Sequence, residues 1–277
     1  MTPHDKHPGD LRRALRVEPG SKVRLDELDP EATHGHDKGG SESDLKAGLR
    51  RLADLQDRLW AEQKHPILVV LQGIDAAGKD GTIRHVMSAF NPQGCPVTPF
   101  KAPTTVEAAH DYLWRVHQRT PGMGEIAIFN RSHYEDVLVV RVHELVPEAV
   151  WSRRYEQINA WEQTLAEEGT TIVKFFLNIS ADEQRDRLQA RVDDPTKQWK
   201  FRLGDLDERK RWGDYQAAFE AALERCSTAW APWYVIPSNR NWFRNLAVAD
   251  ILGDVLDELD PAYPRSPDVI PPGLKIT

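Results

Sequence analysis

Cysteine is scarce in this chain, since only Cys95 and Cys226 occur among 277 residues. They lie far apart and match no spacing typical of a metal site or a disulfide framework. We therefore expect two reduced thiols in a reducing compartment. Long apolar runs are also lacking: no stretch approaches the roughly 18 uncharged apolar residues of a membrane-spanning helix. The N-terminal residues have no apolar segment of the kind that marks a secretory signal. These absences predict a cytoplasmic protein with no membrane partner.

Positive charge is in deficit, because 36 Lys and Arg face 43 Asp and Glu and the formal net charge is −7. This balance argues against a protein that coats nucleic acid or an acidic membrane surface. We therefore expect no nucleic-acid partner. The balance does not exclude a polyanion that binds in one local basic site.

Apolar residues make up 40% of the chain, which is ordinary for a globular protein and excludes a wholly disordered one. Residues 1–40 differ from the rest, since they are polar and rich in Pro, Gly and His. This composition predicts an extended N-terminal arm outside the core. No convincing linker follows, so residues 41–277 are predicted to form one domain.

Short apolar runs bounded by Pro and Gly alternate with helical patterns after residue 66. Such runs are typical of strands that are buried on both faces of a parallel sheet. The predicted strands cover residues 67–71, 125–129, 170–179 and 233–236, with a weaker candidate at 95–100. The alternation predicts an α/β fold of three layers, with a parallel central sheet between two layers of helices.

Helix ends are marked by capping patterns. Ser41 with Asp44 predicts the start of a helix that carries a leucine stripe, which is either a core face or an interface with a partner helix. The stripe consists of Leu45, Leu49, Leu52, Leu55 and Leu59. Thr104 and Ser180 each precede a glutamate by three residues and predict two more starts. One helix is expected over residues 148–168, ending at Gly169, and another over residues 212–226.

A phosphate-binding motif follows the first predicted strand directly. Residues 73–82 read Gly-Ile-Asp-Ala-Ala-Gly-Lys-Asp-Gly-Thr and lead into a helical pattern, which is the Walker A arrangement in its strand–loop–helix context. Backbone N–H groups of the loop and the start of the helix favour phosphate, and Lys79 supplies a mobile ammonium. A purely structural glycine turn is the alternative. The predicted phosphate-binding residues of this loop are Gly73, Ala76, Ala77, Gly78, Lys79, Asp80, Gly81 and Thr82.

Two acidic residues depart from the usual motif. Asp80 stands where a Ser or Thr normally binds Mg²⁺, and Asp75 lies inside the loop. A carboxylate in a phosphate cradle repels the ligand unless a divalent cation lies between them. Asp75 is therefore predicted to bind Mg²⁺ or to accept a substrate proton, although a carboxylate that caps the turn is the alternative.

The third predicted strand along the chain, at residues 125–129, is followed by Asn130-Arg131-Ser132-His133-Tyr134-Glu135-Asp136. Ligands of open α/β sheets bind beyond the carboxyl ends of strands, so this segment is expected to face the loop. The position of a Walker B aspartate is taken by Asn130, and Glu135 and Asp136 follow as candidate metal ligands. Arg131 is suited to clamp a phosphate. His133 is either a general base or, as we favour, a hydrogen-bonded structural histidine.

A basic segment over residues 184–212 is predicted to form a helical lid. It carries nine Lys and Arg against six Asp and Glu, a net charge of +3, whereas the rest of the chain sums to −10. Closure of such a segment over phosphates would exclude water and add cations around the transferring group. A solvated pair of charged helices is the alternative.

Three segments together resemble the second family of polyphosphate kinases. They are residues 73–81 in the loop, 129–137 at the end of the predicted strand 125–129, and 194–200 in the predicted lid. The resemblance extends from about residue 41 to about residue 260 and implies a P-loop kinase fold like that of thymidylate kinase. It also implies catalytic roles for Asp75, Lys79, Arg131, Asp136 and Arg191, and phosphate binding by Lys197 and Lys200 of the lid. The form that begins with Asn130 is similar to the branch that acts on both nucleoside mono- and diphosphates.

The resemblance therefore implies phosphoryl transfer from inorganic polyphosphate to nucleoside mono- or diphosphates. Mg²⁺, with Mn²⁺ as a substitute, would be held by Asp75 with Glu135 or Asp136, and the enzyme is expected to be a homo-oligomer. Two alternatives stay open at this point. One is a nucleotide or small-molecule kinase that uses ATP as donor, and the other is a non-catalytic P-loop protein that binds phosphate or nucleic acid.

Overall fold

The computed structural model describes residues 10–266 and 274–275. The predictions for residues 1–9, and for the end of the domain at 267–273 and 276–277, lie outside the described residues. No helix of the described part is long and apolar enough to cross a membrane. Cys95 and Cys226 are both buried free thiols, and burial raises the pKa of each to about 12.

Five strands form one parallel sheet in the order β2-β3-β1-β4-β5. They are β1 (Ile67–Gln72), β2 (Val97–Pro99), β3 (Ile126–Asn130), β4 (Thr171–Asn178) and β5 (Trp233–Pro237). The parallel α/β fold predicted from the apolar runs is confirmed. The weak candidate at 95–100 contributes only the short edge strand β2. The central position of β1 places the loop that follows it between the ends of β3 and β4.

Twelve α-helices, besides short 3₁₀ turns, connect and cover the strands in the part of the chain that the structure describes. They are α1 (Leu11–Ala14), α2 (Lys38–Glu62), α3 (Lys79–His85), α4 (Thr105–Ala108), α5 (Trp114–His117), α6 (Val139–Val142), α7 (Glu148–Trp151), α8 (Arg154–Glu167), α9 (Ala181–Asp193), α10 (Gly204–Lys210), α11 (Trp212–Cys226) and α12 (Asn241–Leu259).

The two faces of the sheet are covered by different helices, as alternation along β4 shows. Lys174 reaches Glu162 of α8, and Phe176 packs against Phe219 of α11. Phe175, which lies between them in sequence, contacts Tyr234 on the opposite face, where α2 and α12 pack together. Successive strand residues point to opposite faces, so three layers result.

Helix α2 carries the leucine stripe on its core face. Leu52, Leu55 and Leu59 are buried, while Leu45 and Leu49 are half-buried and pack against the same core. The predicted start at Ser41 is wrong. The N-cap is Asp37, whose carboxylate accepts from Gly40 N at 2.9 Å, and Ser41 is a buried residue inside the helix.

The helix predicted over residues 148–168 is interrupted. Its two parts, α7 and α8, are separated by a turn at Ser152 and Arg153. The predicted end is confirmed, since Gly169 follows α8 with a φ of +93°. The caps at Thr104 and Ser180 are also confirmed, because each side chain accepts from the N–H of the glutamate three residues later.

The N-terminal arm is not outside the core, and that prediction is wrong. Five of its apolar residues are buried in the main cluster: Leu11, Leu15, Val17, Val23 and Leu25. Val17 N donates to Trp233 O, and Val235 N donates to Leu15 O, both at 2.9 Å. The arm therefore pairs with the outer edge of β5 and satisfies backbone groups that an edge strand leaves exposed.

Candidate active site

The loop between β1 and α3 forms a tight cradle at the carboxyl edge of the sheet. Gly73 has a φ of +155°, and a Cβ there would lie 2.9 Å from Leu177 O. Gly78 has a φ of +113°, which side-chain-bearing residues rarely adopt. Ala76 also has a positive φ, +67°, so the loop holds a strained non-glycine residue at its centre. The strand–loop–helix context predicted for the Walker A motif is confirmed.

Lys79 lies buried within this cradle. Its Nζ donates to the loop carbonyls of Gly73 at 2.5 Å and Ile74 at 3.3 Å. Burial, with the nearby charge of Arg131, lowers its pKa to about 8 against the attraction of Asp75 and Glu135. The ammonium is therefore hydrogen-bonded to carbonyl groups of the loop itself, and it loses its proton at a lower pH than an ordinary lysine does.

Arg131 stands between two carboxylates. Its Nη2 donates to Asp75 Oδ1 at 2.5 Å, and its Nη1 lies 3.4 Å from Glu135 Oε2. A φ of +64° at Arg131 turns the chain out of β3 towards the loop. Burial would raise the pKa of Asp75, but Arg131, Lys79 and Arg191 together hold it below its usual value. The structure thus brings five predicted site residues into one electrostatic cluster.

Asp80 links the loop to β3 and to the lid. Its Oδ1 accepts from Asn130 Nδ2 at 3.0 Å, and its Oδ2 lies 3.6 Å from Lys200 Nζ. An aspartate at position 130, as in a usual Walker B strand, would repel Asp80, whereas the amide of Asn130 donates to it. Thr82 is turned away from the cradle opening, since it is buried and its hydroxyl donates to Gly78 O at 3.3 Å.

Asp136 does not join the cluster around Asp75. Its Oδ1 accepts from Arg154 Nη1 at 2.9 Å, and burial raises its pKa to about 6 despite that arginine. Within the described residues no hydrogen bond or ion pair joins Asp136 to Asp75, Lys79 or Arg131. The predicted grouping of Asp136 with Asp75 is corrected on this point: a cation from α8 holds Asp136, whereas Glu135 reaches the site.

His133 belongs to a buried network behind the site. It is fully buried, and its Nε2 lies 3.2 Å from Glu162 Oε1. Glu162 also pairs with Lys174 at 2.5 Å, and Lys174 donates to Tyr134 OH and Cys226 O, both at 2.7 Å. Burial lowers the pKa of His133. These contacts support the interpretation of His133 as a hydrogen-bonded structural histidine rather than a general base.

The basic segment divides into anchored and free parts. Gln184 Nε2 donates to Asp75 O at 3.0 Å, and Arg187 Nη1 donates to Ala76 O and Ala77 O, both at 3.0 Å. Arg209 is also anchored, since it donates to Ala181 O and to the side chain of Gln184. In contrast, residues 194–203 between α9 and α10 are mostly exposed, with Trp199 at 76%.

The lid cations predicted to bind phosphate have different surroundings. Lys200 reaches the phosphate loop through Asp80, and the charge of Arg191 acts on Asp75. Lys197 instead pairs with Asp194 at 2.7 Å on the exposed side of the turn. The structure therefore brings Arg191 and Lys200 to the cradle and leaves Lys197 outside it.

Sequence patterns did not reveal four residues that shape this site. Gln72 Nε2 donates to Glu135 Oε1 at 3.1 Å, while Gln184 and Arg187 hold the loop backbone. Arg244 is buried directly against Gly78. Gln184 and Arg187 belong to the basic segment predicted as a lid, and Arg244 is a lone charge in the apolar first half of α12, whereas Gln72 carries no such signal.

The described residues do not contain a group of three or more His, Cys, Asp or Glu placed to hold a metal ion. Asp75 and Glu135 nevertheless share one guanidinium, so both carboxylates face a single cationic position. Two carboxylates suit Mg²⁺ sites in which substrate phosphates and water supply the other oxygens.

Nearly the whole chain is similar to proteins of one known family. A family model described as polyphosphate kinase 2 matches residues 35–264. An AMP/ADP-polyphosphate phosphotransferase from Meiothermus ruber is 55% identical over 256 residues, which cover 91% of this chain and 96% of that protein. An ADP-polyphosphate phosphotransferase from Rhodopseudomonas palustris is 42% identical over 273 residues, covering 92% of each. The crystal structure of polyphosphate kinase 2 from Arthrobacter aurescens is 44% identical and superposes with a TM-score of 0.91, over 96% of this chain and 95% of that one.

Proposed function

The chain belongs to the polyphosphate kinase 2 family, and we propose that it transfers phosphoryl groups from inorganic polyphosphate to nucleoside mono- and diphosphates, AMP to ADP and ADP to ATP. The observation that carries this proposal is the phosphate loop with an acid in its centre. Asp75 lies among three cations, Arg131, Lys79 and Arg191, inside a loop that is shaped for phosphate. An acid in this place is suited to a reaction in which both substrates are polyanions.

Binding of the donor is assigned to the loop and to Lys79. Between Gly73 and Gly78 only Ile74 and Asp75 carry a side chain larger than a methyl group, so the loop N–H groups can donate to phosphate oxygens. Lys79 now donates to Gly73 O and Ile74 O, and it would exchange these carbonyls for phosphate oxygens. A phosphate beside it restores the proton affinity that burial has lowered.

Asp75 and Glu135 fit the role of holding a divalent cation, Mg²⁺ or its substitute Mn²⁺, together with substrate oxygens. When bound, the cation supplies compensation for the negative charge on the transferring phosphoryl group. Asp136 fits this role poorly because Arg154 already occupies its carboxylate. Glu135 is kept in place by Gln72, which fixes the direction of the carboxylate.

Transfer is an in-line displacement in which a phosphate oxygen of the nucleotide attacks the terminal phosphoryl group of polyphosphate. The new P–O bond forms as the bond to the shortened polyphosphate breaks, and that chain leaves with the electron pair. Arg131, Arg191 and Lys200 would offset charge on the equatorial oxygens, and Asp75 would orient the attacking group. No covalent intermediate with the protein is required.

A donor swap tests the proposal. Purified protein with ADP and polyphosphate, and no other phosphate source, is expected to form ATP, and AMP should yield ADP and then ATP. Parallel reactions with GMP and GDP define the base preference. A chelator should abolish transfer, and added Mg²⁺ or Mn²⁺ should restore it. Transfer from ATP to AMP with no product from polyphosphate would instead identify an ATP-dependent nucleotide kinase.

A further inference from the structure

Arg244 lies directly against the wall of the phosphate loop. It belongs to the first turn of α12, is 2% exposed, and its guanidinium packs under the point where the loop becomes α3. A Cβ on Gly78 would lie 1.9 Å from Arg244 Nη1, and a Cβ on Gly81 would lie 2.9 Å from Nη2. The two glycines therefore leave room for this side chain.

The charge of Arg244 has no carboxylate partner among the residues that the structure describes. Nη1 donates to Asn241 Oδ1 at 2.7 Å, and Nη2 and Nε donate to Asn245 Oδ1 at 2.9 and 3.2 Å. Burial, together with the neighbouring charge of Arg187, lowers its pKa to about 10. Each guanidinium nitrogen thus donates to a neutral amide oxygen, and no described carboxylate compensates the charge.

An unpaired buried charge is costly and is rarely retained without a partner. The contrast with Arg187 is informative, since that residue also holds the loop but pairs with Glu183 at 2.6 Å. The side chains of Asn241 and Asn245 accept hydrogen bonds from the Arg244 guanidinium and so fix its orientation, but they are neutral and do not cancel its charge. Within the described residues this charge is left without a partner, and an anion bound in the adjoining phosphate loop would supply one.

We propose that Arg244 is a positioning residue of the phosphate loop, and that its uncompensated charge is balanced by bound polyphosphate and thereby sets the affinity for the donor. The inference rests on the proposed function for the identity of the anion. It assigns to Arg244 no contact with the reacting atoms, because Gly78 and Gly81 lie between the guanidinium and the cradle.

The proposal predicts different effects of removing the Arg244 charge on the melting temperature with and without bound polyphosphate. In Arg244→Met the buried charge is gone and the packing volume is roughly kept. The melting temperature without ligand should stay equal or rise, while the rise on adding tripolyphosphate should shrink. A residue that only packs would give a lower melting temperature in both states.

Steady-state kinetics supply the second readout. Arg244→Met should raise KM for polyphosphate by about tenfold or more, with kcat and the nucleotide KM changed less than about threefold. Arg244→Lys, which keeps the charge but loses the fork, should fall between wild type and the methionine variant. Arg51→Met is the control, since Arg51 joins α2 to Asp254 and Asp257 of α12 away from the loop. It should alter stability but not KM for polyphosphate.

A substitution on the other side of the contact covers the case of a variant that does not fold. Gly81→Ala places a methyl group against Nη2 and should raise KM for polyphosphate while Arg244 is still present. In the Arg244→Lys background the same change should add less than about twofold, because neighbouring effects are then not additive. Equal effects of Gly81→Ala in both backgrounds would overturn the contact.

Equilibrium binding of tripolyphosphate separates this inference from the proposed function. If the wild type binds tripolyphosphate but transfers no phosphoryl group, the proposed activity is rejected. Weaker binding of tripolyphosphate by Arg244→Met than by the wild type would still support the role of Arg244. Transfer by wild type with unchanged tripolyphosphate affinity in Arg244→Met would overturn the inference alone.

Discussion

The Arg131 guanidinium donates to the Asp75 carboxylate at 2.5 Å, so the acid of the phosphate loop and the cation after β3 form an ion pair. Glu135, at 3.4 Å, pairs with the other side of the same guanidinium. The charged groups of the site therefore hold one another in position. A pre-organised arrangement of this kind lowers the reorganisation that the reaction requires.

Asp75→Asn should separate binding from turnover. Loss of the carboxylate removes a cation ligand and the partner of Arg131, so kcat is expected to fall by about 100-fold or more. Affinity for tripolyphosphate should stay the same or improve, because a negative charge has left the cradle. Steady-state kinetics and equilibrium binding measure the two effects. Asp186→Asn, at an exposed position of α9, is the control. Turnover within threefold of wild type would contradict the role assigned to Asp75.

Lys79 should make donor binding dependent on pH. Its pKa in the free protein is lowered to about 8, so the ammonium loses its proton as pH rises through that value. Phosphate favours the protonated form, and affinity should therefore weaken by up to about tenfold per pH unit above pH 8. The dissociation constant of tripolyphosphate between pH 7 and 9.5 measures this.

Lys79→Arg is the matched control, since arginine stays charged over this range and its pH profile should be flat. The effect on folding has the opposite sign. The unfolded chain holds this proton up to about 10.5, so the cost of burying the charge falls as pH rises from about 8 to 10.5. A steep pH profile in Lys79→Arg would assign the dependence to another group.

Glu162→Gln should destabilise the fold strongly. Lys174 and Glu162 are both fully buried, and loss of the carboxylate leaves the ammonium without a counter-charge. Removing one partner of a buried pair costs about 3–5 kcal/mol. Urea unfolding measures the change, with Asp182→Asn as control at the exposed pair with Arg185, where at most about 0.5 kcal/mol is expected. A loss below 1 kcal/mol for Glu162→Gln would show that amides and hydroxyls suffice for Lys174.

Asp80→Asn should loosen the lid without disturbing the loop. The asparagine can still accept from Asn130, so the change isolates the contact with Lys200 at 3.6 Å. Both side chains are partly exposed, which limits the contact to about 1 kcal/mol or less. Hydrogen exchange of residues 194–203 should speed up by up to about fivefold at low salt, and the difference should vanish near 1 M salt, where charges are screened. Unchanged exchange at low salt would show that Lys200 does not hold the lid.

Periodic patterns predicted the parts of the fold that repeat one local environment. The runs in β1, β3, β4 and β5 are mostly apolar because both faces of the sheet are covered, and the Walker A loop requires glycine at two unusual backbone conformations. Both signals are local in sequence. The strand–loop–helix unit and its neighbours at Asn130 and Arg131 could therefore be placed correctly.

Contacts between distant residues were not accessible in this way. The N-terminal arm enters the core through scattered single residues such as Leu11 and Val23, which have no period. Asp136 looked equivalent to Glu135, and only the position of Arg154 on α8 decides that it turns away. Asp37 replaced Ser41 as the cap because Gly39 and Gly40 enter the helix despite their low helix propensity.

The anchoring of α9 also determines how the lid can operate mechanically. Gln184 and Arg187 are bonded to the backbone of the phosphate loop, so their end of the helix is fixed to the loop. A rigid-body movement of the whole segment 184–212 would break these hydrogen bonds to the loop, so any hinge would lie beyond Arg187. A closing motion of the predicted lid would then be confined to the turn over residues 194–203, which carries Lys200 and lies between this anchored end and the anchored Arg209.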